Sequence, residues 1–248
     1  MSRIVLTAAS RVGCVRSNNE DMVLAYDKFI RGEAYHTELM TENVDRFVIA
    51  LADGMGGHQA GEVASADTLA NLHFFINDLP KGLSVSEFNE MMVVWLDSVN
   101  KMIASKGQVD PTMAEMGTTL VAVAYYNGHY YWMNCGDSRL YRLRDGKLTQ
   151  ISTDHSLNAM HGEKRHSNVI TNCIGAGCKN SYMDMFEFSD DFLSGDVYLL
   201  CSDGLSDMVN DENIESLLVE GASANRLCEA AIEAGGYDNV SACVFSVI

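Results

Sequence analysis

The chain has 248 residues, 47% of them apolar, enough to bury a large core within one domain. With 34 acidic residues against 17 basic, its formal charge is −17, which sets it against nucleic acid as a partner. The excess acid is either plain solvated surface or, in part, carboxylate gathered on metal ions.

Two prolines, no repeat and no Ser/Gly-rich stretch leave no sign of a linker, so residues 1–248 read as a single domain. The opening run "IVLTAA" meets Arg11 too soon for a signal-peptide core, and Arg11 also argues against lipid attachment at Cys14. No apolar run approaches a membrane span, so a cytoplasmic location is expected. None of the seven cysteines shows CxxC spacing. Cys135, Cys201 and Cys243 sit in strand-like runs and read as buried free thiols, whereas the looser surroundings of Cys173 and Cys178 leave redox sensitivity open.

In chain order, strands are expected near 3–9, 21–27 and 45–52, followed by a helix over 59–78 with Val63, Ala66, Ala70 and Phe74 at helical spacing. A second helix over 85–105 carries Phe88, Met92, Trp95, Val99 and Ile103 on one stripe. Strands near 117–126, 129–136 and 139–144 follow, with Asn127-Gly128 and Asp145-Gly146 as tight hairpin turns. Strands near 185–189 and 196–202, helices near 211–219 and 223–234, and a strand at 240–247 complete the chain. Consecutive hairpins mean antiparallel pairing, and helices arrive in pairs between sheet segments. The order predicts an α+β protein of two antiparallel sheets packed face to face with helices outside. Met91, Met92, Met113 and Met116 read as core filler.

Aspartates recur where strands end. Asp53 closes "RFVIALAD" before Gly54, Asp137 closes "YYWMNCGD" before Ser138, and Asp203 closes "VYLLCSD" before Gly204. Asp238 precedes Asn239 and opens "NVSACVFSV". A strand end exposes its side chain at a sheet rim, and glycine lets backbone approach whatever that side chain holds. Carboxylates crowded at one rim repel unless cations hold them, and all-oxygen ligation is the preference of Mg²⁺ and Mn²⁺. Taken singly, each Asp-Gly pair is equally well a plain turn, and Asp145-Gly146 is read only as one.

Together the stretches "SRVGCVRSNNED", "ALADGMGGHQAGEVAS", "MGTTLVAV", "NCGDSRLYRLRDGKLTQISTDHS", "LLCSDGLSD" and "GGYDNVSACV" resemble the metal-dependent, type 2C-like serine/threonine protein phosphatases in their bacterial form. The resemblance runs from Ser10 to Val247 with the motifs in order. It implies a four-layer α-β-β-α sandwich with a binuclear Mn²⁺ or Mg²⁺ centre between the sheet edges, and a third ion in many relatives. On it, Asp53 bridges both ions, the Gly54 carbonyl binds one, and Asp203 and Asp238 complete the other's shell. Asp21 assists directly or through water. Strand alternation puts Glu20 and Asp21 on opposite faces, so one of the two is the contact. Asp137 matches the acid of the third site.

Arg16, five residues before Asp21, is the candidate phosphate clamp, because a guanidinium grips two phosphoryl oxygens at once. The implied reaction is hydrolysis of phosphoserine and phosphothreonine in proteins by a water that the two ions activate, without a covalent phosphoenzyme. Substrates of a bacterial Ser/Thr kinase are the expected partners.

Some residues depart from the pattern. Met55 stands where eukaryotic members often carry a histidine, and His58 is not its positional equivalent, which leaves the general acid unassigned. His155, His161 and His166 fit no common zinc spacing. Residues 156–181 take the place of the family's flap and carry Lys164, Arg165 and Lys179, either to receive phosphopeptides or as a solvated loop. Two rival readings remain: a silent phosphoprotein-binding member of the same fold, and a structural cation-binding module. The complete acid set argues against the first and Arg16 against the second.

Overall fold

The computed structural model describes residues 3–56, 60–157, 159 and 169–248. His58, His161, His166, Lys164 and Arg165 lie outside the described residues.

Two six-stranded antiparallel sheets make the body of the molecule. The first has the order β11-β10-β14-β15-β1-β4, built from β1 (Arg3–Arg11), β4 (Ala34–Met40), β10 (Arg139–Arg144), β11 (Lys147–Gln150), β14 (Val197–Cys201) and β15 (Val240–Val247). The second has the order β13-β9-β8-β5-β2-β3, built from β2 (Met22–Ala25), β3 (Lys28–Ile30), β5 (Arg46–Ala52), β8 (Leu120–Tyr126), β9 (His129–Cys135) and β13 (Asp184–Glu187). A third, small sheet joins β6 (Gly54–Met55), β7 (Gly117–Thr118) and β12 (Ile174–Gly175), with β7 in the middle.

The layering follows from strands that are apolar on both faces. Along β5, Phe47, Ile49 and Leu51 face the other sheet, while Val48, Ala50 and Ala52 pack against helices. In β15, Cys243, Phe245 and Val247 enter the inter-sheet core, and Val240, Ala242 and Val244 face outward onto a second helical layer. A period of two with both phases apolar is what a strand in the middle of a four-layer stack requires. On one outer side lie α1 (Ala60–Asp78) and α2 (Val85–Val109); on the other, α3 (Asp203–Ser206), α4 (Asp211–Val219) and α5 (Ala224–Glu233). The expected α+β sandwich is what the chain forms.

The helix α2 starts at a reciprocal cap, where the Ser84 hydroxyl accepts from the Glu87 N–H and the Glu87 carboxylate accepts from the Ser84 N–H. Its expected stripe is buried in full, with Phe88, Met92, Trp95, Val99 and Ile103 at most 1% exposed. The two hairpin turns adopt left-handed conformations at Asn127 (φ 49°), Gly128 (φ 90°), Asp145 (φ 52°) and Gly146 (φ 76°), as their sequences predict.

Four details differ from expectation. The strands β3, β4, β6 and β12 were not foreseen; all four lie at sheet edges, and the pattern of β4 is only half apolar for that reason. The segment 117–126 is broken at Thr119, whose side chain turns to the site described below. The buried face of α1 is Ala64, Leu69, Leu72 and Ile76, whereas Phe74 is 71% exposed: two apolar phases compete on this helix, and the one with two leucines and an isoleucine carries more aliphatic surface into the core. Asp203 lies beyond the end of β14, at the start of the one-turn helix α3.

Candidate active site

Five aspartates from separate parts of the chain meet at one rim of the sandwich. Asp21 immediately precedes β2, Asp53 joins β5 to β6, Asp137 lies in the turn between β9 and β10, Asp203 opens α3, and Asp238 precedes β15. Gly54 begins β6. Burial pushes the Asp53 carboxyl well above its ordinary range, and the charges of Asp21, Asp203, Asp137 and Asp238 push it further. Burial comes first for Asp203 as well, raised to about 8 with Asp137, Asp238, Asp207 and Asp21 adding to it. Asp137 is pushed up to about 6 by burial and by Asp154. The four charges that raise Asp53 are those of the other four aspartates, so the structure brings the five sequence candidates together.

Asp21 is the most enclosed. It is 0% exposed, against partial exposure for Glu20, so of the two neighbours Asp21 is the one turned inward. Its Oδ2 accepts from the Ser202 hydroxyl at 2.9 Å. Burial raises it to about 6 even though hydrogen bonds with Ser241, Ser202 and Asp53 oppose that rise. The contact with Asp53 requires a shared proton; with both ionised, the buried Asp21 Oδ1 has no donor.

That unpartnered oxygen is the observation that fits a cation. The donor set is carboxylate oxygen with backbone carbonyl close by, which suits Mg²⁺ or Mn²⁺ rather than softer metals. Among the described residues, no three Asp, Glu, His or Cys side chains are gathered round one point as a ready-made single-ion site.

The backbone around Asp53 is held from both sides. Its N–H donates to the Thr119 hydroxyl at 3.0 Å, and its carbonyl accepts from the Thr118 hydroxyl at 2.8 Å and the Thr119 N–H at 2.9 Å. The Thr119 hydroxyl also meets that of Ser138 at 2.7 Å, tying the Asp53 turn to the Asp137 turn. A Cβ on Gly54 would sit 2.1 Å from the Gly61 carbonyl oxygen, so only glycine lets the start of α1 approach this turn. Likewise a Cβ on Gly204 would sit 1.9 Å from the Asn239 carbonyl oxygen, which makes Gly204 the point where Asp203 and Asp238 are drawn together.

Arg16 stands at the rim with its side chain 53% exposed, and its Nη2 donates to Asp238 Oδ2 at 2.6 Å. Its charge also reaches Glu20 and Asp53. A cleft of 580 Å³ opens beside it, lined by Ser17, Asn18, Ala60, Glu62, Asp110 and Thr112, among others.

Sequence reasoning missed several supports. Arg31 donates from Nε to the Asp21 carbonyl at 2.9 Å and from Nη2 to the Glu62 carbonyl at 2.9 Å and the Ser65 hydroxyl at 2.8 Å, joining the start of β2 to α1. Asn239 accepts from the Glu20 N–H and donates to the carbonyls of Val12 and Asn18. Ser10, Asn19, Ser202 and Ser241 form a buried polar frame under Asp21. The available signal was the placing of small polar residues at strand ends beside the acidic motifs.

His155 is 5% exposed. Its Nδ1 accepts from the Gly136 N–H and the Asn172 amide, and its Nε2 meets Asp184 at 3.2 Å, so it serves as an internal hydrogen-bonding residue.

The model of the protein phosphatase 2C family matches residues 34–232, and the chain belongs to that family. It is 36% identical over 262 residues to the serine/threonine protein phosphatase PstP of Mycobacterium tuberculosis, an alignment covering 100% of this chain and 46% of PstP. The chain thus spans about half the length of that relative. The solved serine/threonine phosphatase of S. agalactiae superposes with a TM-score of 0.82 at 26% identity, covering 99% of this chain and 100% of that one. The catalytic domain of PstP, solved in complex with two manganese ions, gives a TM-score of 0.76 at 35% identity with both chains fully covered.

Proposed function

We propose that the chain is a metal-dependent serine/threonine protein phosphatase working as one domain, and that it removes phosphate from proteins phosphorylated by a bacterial Ser/Thr kinase in the cytoplasm. No helix among the described residues is long and apolar enough to cross a membrane. The observation that carries the reading is the buried Asp53 carboxyl under the combined charge of four other aspartates. So much uncompensated charge at one rim has a chemical use only with cations.

In this reading Asp53, placed between the other acids, serves two ions. The Gly54 carbonyl would serve one ion, Asp203 and Asp238 would serve the other, and Asp21 would assist directly or through water. Asp137, next to Asp203 in the electrostatics of the rim, takes a further ion. A bound pair of Mn²⁺ or Mg²⁺ ions supplies Lewis acidity at the phosphoryl oxygens and lowers the pKa of water there.

The chain's own residues do the rest. Thr118 and Thr119 fix the Asp53 backbone, so the carboxylate is aimed without reorganisation. Arg16 binds the phosphoryl group by exchanging its contact with Asp238 for phosphoryl oxygens, and so holds phosphorus in line for attack. The cleft beside Ser17 and Asn18 accommodates the flanking peptide. The PstP catalytic domain, with its two manganese ions, supports this assignment of cofactor.

Turnover of p-nitrophenyl phosphate and of phosphoserine or phosphothreonine peptides, with Mn²⁺ and with EDTA, tests it. Manganese-dependent release of phosphate from both is expected. Release that persists in EDTA would falsify the reading, and tight phosphopeptide binding without release would favour the silent member of the fold.

A further inference from the structure

Two of the seven thiols meet across one turn. The strand β12 ends at Gly175, and Gly175 (φ 81°), Ala176 (φ 48°) and Gly177 (φ 73°) are all left-handed, which folds the chain back so that Cys178 returns beside Cys173. Both cysteines converge on one oxygen: Cys173 Sγ lies 3.7 Å from the Gly175 carbonyl oxygen, and the Cys178 N–H donates to that same oxygen at 2.9 Å. The two thiols are near enough for Cys178 to act on the titration of Cys173. Asn100, on α2, clamps the turn, accepting from the Gly175 N–H at 2.7 Å and donating to the Cys178 carbonyl at 3.0 Å. The contact is therefore built into the fold.

The turn is wired to the candidate active site. In the small sheet, Ile174 pairs with Thr118, which pairs with Gly54 on its other side. The Thr118 hydroxyl holds the Asp53 carbonyl. Ile174 and Thr118 thus link the dithiol to the backbone of the central acid.

We propose that Cys173 and Cys178 are a redox-active dithiol, which a peroxide closes to an intramolecular disulfide, and that closure is transmitted to Asp53 through β12 and β7. Cys178 is partly exposed and Cys173 is 7% exposed, so Cys178 meets the oxidant first. Its sulfur attacks the peroxide; an S–O bond forms, the O–O bond breaks, and hydrogen peroxide yields a sulfenic acid and one water. The Cys173 sulfur then attacks the sulfenic sulfur; the S–S bond forms, the S–O bond breaks, and hydroxide leaves as water with the thiol proton. Two thiols lose two electrons and two hydrogens to one peroxide, giving two waters. A dithiol reductant reverses the change. Burial pushes the Cys173 thiol up to about 12, which keeps it protonated and leaves the first attack on peroxide to Cys178.

Only the effect on turnover rests on the phosphatase reading; the bridge itself does not. The test uses the whole chain carrying Cys14→Ser, which removes the exposed thiol elsewhere. After hydrogen peroxide, free thiols are alkylated and the tryptic peptide 166–179, which holds both cysteines, is examined by mass spectrometry. The expected result is a peptide lacking two hydrogens and refusing alkylation until dithiothreitol is added. In parallel, manganese-dependent turnover falls about fivefold or more on oxidation and returns on reduction. Cys178→Ser keeps reduced-state turnover within about twofold and loses the response to peroxide.

Two free thiols in that peptide after oxidation, or a bridge to Cys135 instead, overturn the proposal. A bridge that forms with turnover unchanged overturns the link to Asp53. If the reduced protein shows no manganese-dependent turnover at all, the proposed function fails, while the thiol measurement still decides the bridge.

Discussion

The Arg16 guanidinium stands 2.6 Å from Asp238, so the residue proposed to hold phosphate is bound to a residue proposed to hold metal. In a cleft with this much negative charge, a half-exposed cation settles on the nearest carboxylate. On the proposed function, Arg16 would compete with the ions for Asp238 and be released when they take it.

Arg16→Ala is expected to lower kcat/KM for p-nitrophenyl phosphate by about ten- to a hundredfold, the worth of one or two charged hydrogen bonds. Arg16→Lys recovers only part, because an ammonium cannot bind two oxygens in one plane. Steady-state kinetics at saturating Mn²⁺ check both. A lysine variant as active as wild type would argue that Arg16 contributes charge alone.

Asp203→Asn removes a charge that burial and four neighbouring acids already make costly. Turnover is expected to fall at least about a hundredfold, since an interaction with the ions is lost where charge develops in the reaction. In EDTA above about pH 8, where the Asp203 carboxyl is ionised, the folded variant is expected to be more stable than wild type, because one buried charge has gone. Urea titration in EDTA alongside Mn²⁺ kinetics separates these two effects.

Thr119→Val leaves the Asp53 N–H without its acceptor and breaks the link to Ser138. A loss of about 1–3 kcal/mol of stability is expected for the unsatisfied buried donor. Turnover is expected to fall about tenfold at a metal concentration that saturates the wild type, through misplacement of the carboxylate rather than loss of a ligand. Thr118→Val is expected to act on the same carboxylate through the Asp53 carbonyl.

The rim also sets a pH dependence. Asp21 and Asp137 are raised to about 6 and Asp203 to about 8, all from 3.8, so over this window the folded chain holds protons that the unfolded chain has released. Their contribution to stability is present below the unfolded pKa and is lost as pH rises through about 4 to 8. In EDTA the urea midpoint is expected to decline across the upper part of that range. Manganese, binding the ionised carboxylates, is expected to cancel the decline or reverse it. Identical pH profiles with and without the metal would count against a cation site at this rim.

Much of this protein is legible without coordinates. Strands apolar in both phases, such as β5 and β15, require cover on both faces, and the Asn127-Gly128 and Asp145-Gly146 pairs dictate hairpins. Both signals are local, and local propensity reads them directly. The acidic motifs were legible for the same reason: a carboxylate at a strand end followed by glycine is a local pattern, repeated in order.

What sequence alone could not decide depends on neighbours far along the chain. Which of its two apolar faces α1 buries was decided by packing against β5, and the edge position of β4 by pairing with β1. Arg31, Asn239 and the serine frame owe their place to contacts across tens to hundreds of residues. The burial of Asp21 beside a partly exposed Glu20 and the approach of Cys173 to Cys178 over a left-handed turn likewise appear only in three dimensions. Sequence fixes which groups a chain can offer at each strand end. Only the packing of the two sheets brings those ends to one rim, because burial and charge act through space, without regard to order along the chain.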